Sequence, residues 1–300
     1  MTSYFDEINQ NRLKSILLML VFGAIFAGIV YLLAVFFGGI IGFAIGIIVI
    51  IAYALFSYFY GSKLVLKMSR AQIADKKQYA QLYNTVETIA LATQLKMPDV
   101  YIVNDPSPNA FATGKNKDHA AVAVTTGLLS MMSKNELEGV LAHEMSHIAD
   151  NDIQFMLFAV VFAGAIGLLG AVVRNIFFFG GIAGGGRRNE GILLIIGLVI
   201  GLLAPLFALL LRLAISRRRE YMADANGARI IRAPSYLASA LEKIQAYEKK
   251  PASIAPPTQH ANEITSSLYF ANPFKAKSLM NLFSTHPPIE DRIAKLKQMY

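Results

Sequence analysis

Three hundred residues with 55% hydrophobic side chains, a mean hydropathy of +0.46 and only 16% charged residues are too apolar for an ordinary soluble domain, in which about a quarter of residues are charged. The absence of cysteine excludes a disulfide framework, a thiolate nucleophile and a zinc–sulfur site, so any metal ligands come from five histidines and the carboxylates. The net charge of +8 gathers in residues 212–300, with fourteen basic against seven acidic groups; because its arginines follow an apolar run, the expected partner is a lipid bilayer and not nucleic acid.

Residues 1–60 read as an N-terminal anchor. Stretches 15–37 and 40–60 are uncharged, are separated by Gly38 and Gly39, and each reaches the roughly 20 residues that cross a hydrocarbon core. The first is too long for a signal peptide and lacks a cleavage site before the second, so the two predict a helical hairpin. In the cytoplasmic segment 61–152, residues 78–95 have helical spacing, with Leu82, Val86, Ile89 and Ala90 on one face. Short strands follow at 100–103, 110–113 and 121–126, separated by turn-rich "NDPSPN" and "KNKD". A helix over 134–150 is announced by Ser133 and Glu136, the pair of a capping box.

Residues 153–211 predict a second transmembrane hairpin, 153–173 and 191–211, with Pro205 as a tolerated kink and a glycine-rich loop between. Asp150 and Asp152 then mark the exit from lipid. Segment 212–300 begins with "SRRREYMADANGA", a helix whose Arg212, Arg217, Arg218 and Arg219 read as an anchor. It continues with a helix at 235–248, an exposed loop at 249–265 and an amphipathic helix at 288–299. Most Lys and Arg near the span ends lie on the side of both termini, against Arg174, Arg187 and Arg188 on the other. Both termini and both polar segments are therefore expected in the cytoplasm.

The chemistry concentrates in "HEMSH", residues 143–147. His143 and His147 stand four residues apart on one helical face, where both imidazoles reach a single zinc ion. Glu144 sits beside them but rotated off the ligand line, positioned to handle the proton of an attacking water. A catalytic zinc needs a third protein ligand, and His119, His260, His286 and the acidic residues outside lipid are the candidates. Depth favours Glu220, nine residues after the last span, as His143 and His147 are six to ten before the third. At 1.5 Å per residue all three would stand about 9–15 Å above the lipid. Asp224, one turn after Glu220, could orient a ligand imidazole through its second nitrogen. His119 and His260, in polar loops, read as solvated.

Together with "RRREYMADANGA", "NAFATG" (109–114), "VAVTTGLL" (122–129) and "STHPPIEDRI" (284–293), the motif resembles the HtpX family of membrane-bound zinc metallopeptidases, related to the endopeptidases of prenylated proteins. The resemblance implies a gluzincin with one zinc per chain on His143, His147 and Glu220, and Glu144 as catalytic base. It also implies a bacterial inner-membrane protein in stress-linked membrane-protein quality control, its active site cytoplasmic, alongside other membrane proteases. The expected fold is thus a predominantly α membrane protein. Four transmembrane helices in two hairpins carry a cytoplasmic, zincin-like α+β domain assembled from two chain segments.

On this reading Glu144 takes a proton from water and delivers it to the leaving amine, and His286 is the candidate donor to the oxyanion. A polypeptide substrate would add as a strand along "NAFATG" or "AVAVTT", with Asn109 bonding its backbone. Two other readings use the same ligands. A zinc-binding scaffold or sensor would not need Glu144. An intramembrane protease would have to bury Lys134, Glu136, Glu138, Asp150 and Asp152 at bilayer depth, which is expensive.

Overall fold

The computed structural model describes residues 55–159, 217–251, 268–270 and 287–299, with isolated positions elsewhere. His260, His286, the expected span 191–211 and most of 15–37 and 153–173 lie outside the described residues. The chain divides into two compact units, Met1–Phe59 with Phe158–Leu213, and Tyr60–Leu157 with Ala214–Tyr300. In the first unit the described positions are helical and leave large apolar side chains exposed, among them Leu17, Leu20, Ile41 and Ile48. Among the described residues no helix is long and apolar enough to cross a membrane.

The second unit is built on four strands: β1 (Ala71–Ile73), β2 (Asp99–Val103), β3 (Ala110–Asn116) and β4 (His119–Thr125). Their order is β1-β2-β4-β3, with β2 and β4 parallel and the other pairs antiparallel, so β3 is an edge strand. Alternation decides the faces: Val100, Ile102, Ala110, Ala112, Val122 and Val124 all point into one core. Within β3, beside the bulge before Asn116, Gly114 lies so close to β4 that an added Cβ would stand 2.6 Å from the His119 carbonyl oxygen.

Among the described residues this unit also holds the helices α1 (Ala80–Thr93), α2 (Thr126–Met131), α3 (Lys134–Ala149), α4 (Arg217–Ile231), α5 (Pro234–Glu248) and α6 (Ile289–Lys297), with α3 packed on the sheet. The capping box of α3 is formed: the Ser133 N–H donates to Glu136 Oε2 at 2.7 Å, and the Glu136 N–H to Ser133 Oγ at 3.4 Å. Glu136 also accepts from Ser239 Oγ and Lys243 Nζ of α5, at 2.7 and 2.6 Å. α3 is buried along nearly its whole length, between the sheet, α1, α4 and α5.

Glycines permit the close helix approaches. A Cβ on Gly139 would lie 2.6 Å from the Leu237 nitrogen of α5, and one on Gly227 of α4 would lie 2.9 Å from the His143 nitrogen of α3. Three boundaries differ from expectation. Strand β1 has no sequence signal beyond three residues. Thr126 opens a helix instead of closing a strand, because the Thr125 hydroxyl caps the Leu128 N–H at 3.1 Å. The helix expected to end at 60 runs to Met68, since Lys63 and Lys67 end the apolar run without ending the helix, which stops before Arg70 at φ 51°.

Candidate metal centre

α3 carries His143, Glu144 and His147, and α4 carries Glu220 and Asp224; all five side chains are buried, between 1 and 4% exposed. Buried polar groups are costly unless paired, and here the partners dictate the chemistry. His143 Nδ1 lies 3.0 Å from Asp224 Oδ1, and His147 Nδ1 lies 3.1 Å from Asp152 Oδ2. A carboxylate can only accept, so each Nδ1 carries a proton, and Nε2 is the nitrogen left to offer a lone pair when the imidazole is neutral.

Both Nε2 atoms face Glu220: His143 Nε2 is 3.7 Å from Oε2, and His147 Nε2 is 3.6 Å from Oε1. Those separations are too long for hydrogen bonds. They suit donors around one ion, for which bonds of about 2.1 Å at tetrahedral angles separate ligands by about 3.4 Å. One donor atom from each of the three residues lies within 4.8 Å of the others.

Arg292 of α6 is fully buried and grips Asp224 with two hydrogen bonds, from Nε at 2.9 Å and Nη2 at 2.7 Å. It also lies 3.8 Å from Glu220 through Nη1 and 4.8 Å over the Phe270 ring. Nη2 stands 3.4 Å from His143 Nδ1, but a protonated Nδ1 cannot accept, so Asp224 is the shared acceptor of both groups. Burial raises Asp224, yet the Arg292 charge and the His143 hydrogen bond outweigh it and hold the carboxyl below its usual range.

Burial pushes the Glu144 carboxyl up to about 7, although His147 and a backbone hydrogen bond from Ala112 of β3 oppose this. Burial also brings His143 down to about 4 despite Asp224. At His147 burial is outweighed by Asp152 and Glu220, which raise it to about 9. An ion bound there takes the place of the Nε2 proton that this raised value keeps on His147; two imidazole nitrogens and a carboxylate, ringed by further carboxylates, are then the donor set a zinc ion requires.

The structure brings together His143, Glu144, His147, Glu220 and Asp224. Asn109 directly precedes β3 and is buried, its Oδ1 accepting from the Ala110 N–H at 3.1 Å. His119 is exposed at the β3–β4 turn, with Nδ1 2.9 Å from Asn116 Oδ1.

Sequence reasoning missed three residues. Asp152, read as a lipid-boundary charge, reaches back to His147. Arg219, read as a membrane anchor, is buried with its guanidinium 4.4 Å over the Phe155 ring, whereas Arg217 and Arg218 are exposed. Arg292 had a signal: it occupies the apolar stripe of α6, between Ile289, Ile293 and Leu296, where a charge has no business without a buried partner.

Residues 76–300 match the model of peptidase family M48. The chain belongs to that family. It is 43% identical to a "Protease HtpX homolog" of Caldanaerobacter subterraneus subsp. tengcongensis, over 97% of this chain and 96% of the relative. A "Protease HtpX homolog" of Streptococcus thermophilus is 42% identical, over 98% and 99%. A crystal structure of S. mikatae Ste24p is similar at 17% identity with a TM-score of 0.49, covering 96% of this chain and 66% of that one. This M48 peptidase is therefore a zinc metalloprotease, and His143, His147 and Glu220 form a group that could hold its ion.

Proposed function

We propose that this M48 peptidase is a membrane-bound zinc endopeptidase that cuts cytoplasmic regions of membrane or misfolded proteins. His143, His147 and Glu220 would hold the zinc, which when bound supplies Lewis-acid activation of water and of the scissile carbonyl. Glu144 accepts the proton of the attacking water and passes it to the leaving amine. The observation that carries this reading is the convergence of two Nε2 lone pairs on Glu220, with Glu144 beside them and outside the three-donor group. Asp224 holds His143 in the tautomer that keeps Nε2 unprotonated.

The substrate adds along the edge strand β3 beyond Ala112, since the Ala112 N–H already bonds the Glu144 carboxylate and the Ala110 carbonyl accepts from the Phe270 N–H at 2.8 Å; a chain laid there passes beside the base. Asn109 binds its backbone at the start of the strand. His286 donates to the oxyanion; it stands six residues before Arg292, which is itself within 4 Å of Glu220.

Residues 1–60 and 153–211 form the membrane anchor of four helices, and 61–152 with 212–300 the cytoplasmic catalytic domain of an inner-membrane protein. Supporting this, Leu17, Leu20, Ile41 and Ile48 are 60–70% exposed, a quantity of apolar surface that soluble monomers rarely show. The role is membrane-protein quality control under stress, in cooperation with other membrane proteases. The deciding experiment uses purified protein in detergent and an unfolded test protein. Glu144→Gln should keep zinc and lose cleavage by about a thousandfold or more. Cleavage undiminished in that variant would refute the mechanism, and would leave a zinc scaffold without support as well, since a scaffold cleaves nothing.

A further inference from the structure

We propose that Asp152 is the positioning residue for His147, so that the second ligand imidazole is backed by a carboxylate as the first is. The inference rests on the ligand set proposed above. Its starting point is local geometry. α3 ends at Ala149, and Asn151 takes the left-handed conformation at φ 62°, with its N–H bonded to the Ile148 carbonyl at 3.2 Å. Asparagine tolerates that conformation better than most residues. The chain reverses there and the next helical turn starts at Asp152, five residues after His147. A continuous helix would carry position 152 away from position 147. The left-handed residue instead sets Asp152 Oδ2 3.1 Å from His147 Nδ1, with both side chains largely buried.

The arrangement repeats the one at the other ligand: His143 is backed by Asp224, and His147 by Asp152. In both, a carboxylate fixes the Nδ1 proton. At His143 the buried Arg292, bonded to Asp224, keeps that carboxylate from being an uncompensated charge. Near His147, Arg219 of α4 is buried with its guanidinium 4.4 Å over the Phe155 ring, and Asp152 and then Glu220 oppose the effect of burial on its charge. α4 thus supplies the third ligand and the carboxylate that backs His143.

The alternative role for Asp152 is structural: a carboxylate at the first turn of a helix favours that helix by its dipole. The two roles separate in one experiment on the full chain in detergent, stripped with a chelator and titrated with zinc against a chromophoric competitor. Asp152→Ala should bind zinc about 10- to 100-fold more weakly, with a smaller loss in Asp152→Asn, which keeps an acceptor for Nδ1–H but not the charge. Cobalt replacing zinc should show altered visible bands in both variants. Parental zinc affinity in folded Asp152→Asn and Asp152→Ala, with only the melting temperature of the stripped protein lowered, would overturn the inference. Glu220→Gln separates the two levels. Parental affinity in that variant would sink the ligand set itself, whereas its loss beside parental affinity in the Asp152 variants would sink the positioning role alone.

Discussion

Gly227→Ala tests how tightly the third ligand is placed. A methyl at this position would stand 2.9 Å from the His143 nitrogen, 3.1 Å from the Ala142 carbonyl carbon and 3.1 Å from the His143 Cα, all backbone atoms. Ordinary carbon contacts begin at about 3.5 Å, so α4 must move off α3 by about half an ångström. Glu220 lies two turns earlier on the same face of α4 and moves with it. Metal ligands tolerate about 0.2 Å, so the displacement exceeds what the site can absorb.

Stability responds less, because two effects oppose. Alanine gains up to about 1 kcal/mol over glycine within a helix, and overpacking costs about 1–3 kcal/mol, for a net loss of at most about 2 kcal/mol. The expected outcome is a modest fall in melting temperature of the stripped protein, with zinc affinity down by about tenfold or more. Gly139→Ala is the control, since its methyl meets the Leu237 nitrogen of α5 at 2.6 Å and leaves α4 alone. It should cost stability with little change in zinc affinity. Parental zinc binding by folded Gly227→Ala would refute the argument that the glycine sets the α3–α4 distance.

Arg292→Ala leaves the Asp224 carboxylate buried without its two charge-assisted hydrogen bonds, a loss of about 3–5 kcal/mol readable by thermal denaturation. Arg292→Lys, which keeps the charge but not the two-pronged geometry, should recover only part of it. At acid pH the α3 cap should weaken. Burial raises Glu136, but Lys243, Ser133 and Ser239 outweigh it and hold the carboxyl at about 2, against about 4.5 in the unfolded chain. A depressed folded-state value stabilises above the unfolded one, so this contribution is complete above pH 4.5 and is lost as pH falls towards 2. Lys243 is 42% exposed, so screening reduces the effect to about 1–2 kcal/mol. Lys243→Met should flatten the acid limb of the stability–pH curve between those values.

Much of this was legible because its signals are local. The capping box, the His143–His147 spacing and the alternation in β2 and β4 each operate within a few residues, and all three are present as read. Glu220, chosen from a depth argument across 73 residues, is in the structure one of three residues whose donor atoms lie within 4.8 Å of one another. What stayed hidden depends on packing. Nothing in "RRRE" separates Arg219 from its two exposed neighbours except the helical phase that turns it inward with Glu220 and Ala223. Asp152 was hidden by a single residue: only with Asn151 left-handed does its carboxylate turn back to His147. β1 is too short to carry a pattern and exists because β2 offers it an edge.

A charge count joins these observations to the metal. Among the described residues the site gathers the carboxylates of Glu144, Asp152, Glu220 and Asp224 and the guanidinium groups of Arg219 and Arg292. With both histidines neutral at the metal and Glu144 ionised, these four carboxylates and two guanidinium groups leave a charge of −2, which a zinc dication cancels. Neither arginine could be spared, because the remainder would then exceed the ion's charge in a buried space where uncompensated charge is costly. Arg292 makes its two hydrogen bonds to Asp224 and reaches Glu220 only at 3.8 Å, leaving Glu220 as the carboxylate turned towards both Nε2 atoms. Two of these charges come from α3 and the turn after it, three from α4 and one from α6. The dication is thus the term that makes their assembly electrically neutral, and zinc binding and the packing of α4 and α6 onto α3 are parts of one equilibrium.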